Sequence, residues 1–144
     1  MKDQQKQKDS KKLLDRELIP KEYLDIVDKE FNYVKSVAIK KFSEYEKNIN
    51  ETLLEFNKNK KKFGFAILSE NKIVISVFLC HTPYYIRGTI RHEMAHIVDF
   101  LINGSSSHSY EWKRIARHLG LTNPKSKTKP SLTIRKNIKQ QSND

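Results

Sequence analysis

The sequence predicts one α+β domain: a long N-terminal helix, a small three-stranded sheet, a central helix bearing two histidines, and a following helix. Three observations carry that expectation. Apolar residues recur at three- and four-residue steps from Tyr23 to Tyr45, the period of an amphipathic helix. Between Thr52 and Leu79 the pattern shortens to runs of β-branched and aromatic residues separated by turn residues, the mark of strands. His92-Glu93-Met94-Ala95-His96 then sits in a second helical-period stretch, from about Tyr84 to Ile102.

In chain order, Leu13, Leu14, Leu18 and Ile19 suggest a short helical lead-in ending near Pro20, a residue suited to the first turn of a new helix. Tyr23, Val27, Phe31, Val34, Ala38, Phe42 and Tyr45 then form one apolar face of a helix over about 21–47, for which core packing is a sufficient role. Thr52–Phe56 reads as the first strand, followed by an exposed turn with Lys58, Lys60, Lys61 and Lys62. Gly64–Leu68 and Ile73–Leu79 read as the other two strands, with Glu70-Asn71-Lys72 turning between them. His81 at the strand end is expected to be structural or exposed rather than a ligand, and Thr82-Pro83 closes the sheet region.

The central helix begins at Pro83. Its buried stripe is Ile86, Ile90, Met94, Ile97, Val98 and Leu101, while Thr89, His92, His96, Asp99 and Asn103 lie along a polar side. Asn103-Gly104 is a helix stop, and Ser105, Ser106 and Ser107 make a short loop. The last helix places Trp112, Ile115, Ala116 and Leu119 on one face and ends at Gly120. Beyond Pro124, Ser131–Arg135 is a weak strand candidate.

The chain has 144 residues, 37% hydrophobic and 31% charged, which suits a single domain with a modest core. No stretch approaches the roughly 18 apolar residues of a membrane span, and no apolar segment follows the N-terminal charges as in a secretory signal. One cysteine, Cys80, excludes an internal disulfide and any cysteine zinc cluster, and fits a cytoplasmic setting. The net charge of +11 is concentrated at the ends. Residues 1–12 hold five Lys and two Asp; residues 122–144 hold five Lys, one Arg and one Asp. The expected organisation is therefore a disordered basic tail over 1–12, a folded domain over 13–121 and a flexible basic tail over 122–144. Such tails attract polyanions without sequence preference, so nucleic acid is a candidate partner.

Two histidines four residues apart lie about 40° apart around a helix and can reach one metal ion, with Glu93 beside them to act on an activated water. A catalytic zinc takes three protein ligands. The candidates for the third are Asp99, His108, Glu111 and His118. Asp99 shares the helix with the pair and is better placed to orient a histidine ring. His108 follows a loop short enough to fold back over the histidine face, each extended residue spanning about 3.3 Å. His118 lies two turns further on and is expected to face solvent, Tyr110 is expected to pack in the core or at a rim, and Glu111 is the main rival to His108.

His92-Glu93-Met94-Ala95-His96, followed by His108-Ser109-Tyr110-Glu111-Trp112-Lys113 and Arg114–Gly120, resembles the SprT/Spartan-like family of zinc metalloproteases over roughly residues 20–125. The resemblance implies a zincin-like minimal metalloprotease domain that binds Zn2+ through His92, His96 and His108, with Glu93 as the catalytic base. It implies hydrolysis of peptide bonds in protein substrates, including proteins associated with or crosslinked to DNA. Two departures stand out. Ser109 occupies a position where the family often has glycine, and no cysteine follows His108, so the C-terminal zinc ribbon of many members is expected to be absent. The alternative from a different class is a metal-stabilised nucleic-acid-binding or adaptor module without meaningful proteolysis.

Overall fold

The computed structural model describes residues 15–81 and 83–122. After a short 3-10 turn at Asp15–Leu18, helix α1 spans Lys21–Lys41, with Val27, Phe31, Val34 and Ala38 buried along one stripe. Pro20 stands at its N-cap, where the missing N–H costs nothing. The helix expected to run to about residue 47 stops at Phe42, whose φ of −129° and ψ of 54° are not helical. A 3-10 turn (Ser43–Tyr45) and a short helix α2 (Glu46–Asn50) follow, and α2 buries Ile49. Ala38, Phe42, Tyr45 and Ile49 keep three- and four-residue spacing across this break. Periodicity therefore registers the buried face without registering the interruption.

Strands β1 (Leu53–Asn57), β2 (Gly64–Ile67) and β3 (Lys72–Ser76) form the small sheet in the order β1-β3-β2. β1 runs parallel to β3, with Leu54 opposite Ile73 and Phe56 opposite Ile75. β2 runs antiparallel to it, with Phe65 opposite Val74. As the central strand, β3 buries Ile73, Val74, Ile75 and Ser76. It ends at Ser76 rather than Leu79, because the chain turns into a 3-10 segment at Leu79–His81. Asn71 makes the β2–β3 turn at a left-handed φ of 52°, a conformation asparagine tolerates better than most residues. Its side chain accepts from the Thr52 hydroxyl at 2.8 Å and donates to the Asn48 carbonyl at 2.7 Å, which ties the turn to the end of α2.

Helix α3 (Pro83–Asn103) packs against α1, β2 and β3, and helix α4 (Tyr110–His118) packs on α3. The core between them includes Ile86, Ile90, Met94, Ile97, Trp112 and Ile115. Gly64 sets how closely β2 approaches α3: a Cβ there would lie 3.0 Å from Thr89 Cγ2 and 3.1 Å from Ile75 Cδ1. The architecture is α+β and zincin-like, with the histidine-bearing helix under a small mixed sheet. No helix among the described residues is long and apolar enough to cross a membrane. Residues 1–12, almost all of 122–144 and the weak strand candidate at 131–135 lie outside the described residues.

Candidate metal centre

Helix α3 presents His92, Glu93 and His96 within two turns, and its end at Gly104 (φ 77°) reverses the chain. Left-handed backbone suits glycine, which has no Cβ to clash. The loop after it carries His108 back over the α3 histidines. His96 Nε2 and His108 Nε2 are 3.1 Å apart, and His108 Nε2 and His92 Nε2 are 3.2 Å apart. The ligating atoms of all three rings lie within 4.8 Å of one another.

This spacing fits a metal ion. Tetrahedral ligands at the zinc–imidazole distance of roughly 2.0–2.1 Å stand about 3.3 Å from each other. One proton position is also settled by the neighbours. The Ser106 hydroxyl donates to Asp99 Oδ2 at 2.8 Å, so it accepts from His96 Nδ1 at 2.8 Å. With the proton on Nδ1, the Nε2 lone pair of His96 points into the cluster. Asp99 is held from its other oxygen by Asn103 Nδ2 at 2.7 Å. Burial pushes His92 down to about 3 and His96 down to about 4, with the facing histidines adding to both shifts. Burial lowers His108 as well, followed by the nearby Lys113. The rings are therefore neutral at physiological pH, the form that binds metal, and protons do not compete there.

Trp112 of α4 closes the cluster from within the core. It is fully buried, stacks on His96 with centroids 5.1 Å apart, and meets His92 and His108 edge-on at 4.6 and 4.8 Å. Glu93 is 4% exposed. Burial pushes its carboxyl up to about 8, and the charge of Lys62 on the β1–β2 loop pulls the other way.

The structure brings His92, His96 and His108 together, and Glu93 follows His92 on the same helix. Glu111, the rival to His108, is exposed and paired with Arg114 at 3.2 Å, outside the histidine cluster. His118 is exposed, its ring edge-on to Phe42 at 6.0 Å. Asp99 does orient a histidine, but through Ser106 rather than directly. Ser109 has an ordinary φ of −76° at the N-cap of α4, so the family's frequent glycine is not required there. Tyr110, expected in the core or at a rim, is 73% exposed and so is not a core residue. Sequence reasoning did not pick out Ser106, Asn103, Trp112 or Lys62 as parts of the site. Nothing distinguishes Ser106 from its two serine neighbours until the loop is folded. The placement of Asn103 one turn after Asp99 was the one available signal.

A helix carrying two histidines one turn apart, with a third returned by the next loop, forms a zincin-like candidate metal site in an α+β domain. The model of the SprT-like family matches residues 38–134, more than half of the chain, and the protein belongs to that family. None of the curated proteins or solved structures matches it.

Proposed function

We propose that this protein is a zinc-dependent metallopeptidase of the cytoplasm, acting on peptide bonds of proteins associated with nucleic acid. The observation that carries this is the convergence of His92, His96 and His108 on one point, with the buried Glu93 next to His92 in the same helix. Zinc is the metal of choice for an all-imidazole set of three, and when bound it supplies Lewis acidity toward water and a peptide carbonyl. His96 is held in register by Ser106 and Asp99. Glu93 would serve as the base in its carboxylate form, which burial disfavours and which a divalent cation held by the histidines would favour, taking the proton of the attacking water and passing it to the leaving amine. Lys62 is a positive charge of the chain itself that favours that carboxylate form.

Activity is expected to vanish on treatment with a strong chelator and to return with stoichiometric zinc, read on an unstructured protein substrate. Cleavage that persists after complete metal removal would refute the metallopeptidase reading. Metal uptake without cleavage of any substrate, with or without single-stranded DNA, would favour the binding or adaptor module instead.

A further inference from the structure

A second concave site lies between α1 and α3. It is a cleft of about 390 Å³ lined by Ile26, Lys29, Glu30, Tyr33, Arg87 and Arg91. Three of these are cations and one is an acid. Glu30 is paired with both arginines, at 3.5 Å to Arg87 Nε and 3.3 Å to Arg91 Nη2, so the cleft keeps a positive excess. The Arg87 side chain is 70% exposed and Tyr33 is 56% exposed. Arg91 lies 5.9 Å from the Tyr33 ring centroid, over one face. Arg91 also donates to the Gly120 carbonyl at 3.4 Å, just beyond the end of α4.

From this juxtaposition we infer that the α1–α3 cleft is a binding site for single-stranded nucleic acid. An exposed aromatic ring between cations matches a ligand that repeats a flat base and a phosphate. Tyr33 offers a stacking surface for a base, and Lys29 and Arg87 reach the flanking phosphates. Arg91 is fixed by Glu30 and Gly120, which stiffens the platform. An acidic peptide would satisfy the cations but has no counterpart for the ring. This inference rests on the nucleic-acid part of the proposed function and not on the zinc chemistry.

The test uses the full-length, metal-loaded protein and a fluorescent oligothymidylate, with anisotropy followed across a salt series. Lys29, Tyr33 and Arg87 lie outside the core, so Tyr33→Ala and the double variant Lys29→Glu/Arg87→Glu are expected to keep wild-type metal content. Tyr33→Ala should bind roughly 5- to 150-fold more weakly, the loss of one stacked base. The double variant should lower the slope of log K against log salt by about 1.4, two phosphate contacts at about 0.7 each. Wild-type binding and slope in both variants would overturn the site. Tighter binding of polyglutamate than of oligothymidylate to the wild type would overturn it in favour of an acidic protein partner. Cleavage of an unstructured peptide without nucleic acid, measured on the same variants, should be unchanged, which separates failure of this site from failure of the peptidase reading.

Discussion

His96 donates from Nδ1 to the Ser106 hydroxyl at 2.8 Å, and that hydroxyl donates onward to Asp99. The pair joins helix α3 to the loop that carries His108, so one hydrogen bond both fixes a ring and places the third histidine. Removing an outer partner of this kind costs about 10- to 100-fold in metal affinity. Ser106→Ala is expected to weaken zinc binding by that order, measured against a competing chelator. Asp99→Asn should fall in the same direction, since the neutral amide is a poorer acceptor for Ser106. Wild-type affinity in both variants would show that the relay does not tune the centre.

The proposed third ligand is His108, and substitution separates it from Glu111. His108→Ala is expected to lose most of its metal, while Glu111→Ala keeps it, as measured by metal content after gel filtration. Trp112 is the single tryptophan and packs on all three rings. Its fluorescence should therefore change on zinc addition in Glu111→Ala and remain flat in His108→Ala. The opposite pattern would move the ligand to Glu111.

Much of the centre was legible in the sequence because it depends on local geometry. A spacing of four places His92 and His96 on one helix face whatever surrounds them. Gly104 marks the reversal that returns His108. What was not legible depends on packing between segments distant in the chain. The break at Phe42 preserves the phase of the apolar stripe, so the helix reads as continuous through it. β3 ends at Ser76 although Val77 and Leu79 continue the alternation, because the chain bends into a 3-10 turn there. Ser106 became part of the site only once its loop lay against Asp99.

Cys80 gives the pH dependence with a simple sign. Burial, then the nearby Asp28, pushes its thiol from 9.0 up to about 12. The folded value is raised above the unfolded one, so its contribution to stability is present in full below pH 9.0 and is lost as pH rises toward about 12. Thiolate is the reactive form. Alkylation by iodoacetamide near pH 9 is therefore expected to be slow in the folded protein and fast after unfolding in urea, read by mass spectrometry. Equal rates in the two states would contradict the buried, inert thiol.

The most direct measurement is made on Glu93→Gln, in which the buried side chain keeps its size and the three histidines are untouched. Zinc content and peptide cleavage are measured on the same preparation. The expected result is wild-type zinc with cleavage reduced by about 100-fold or more, the scale of a lost general base. Full zinc with cleavage near the wild-type rate would contradict the assignment of Glu93 as the base.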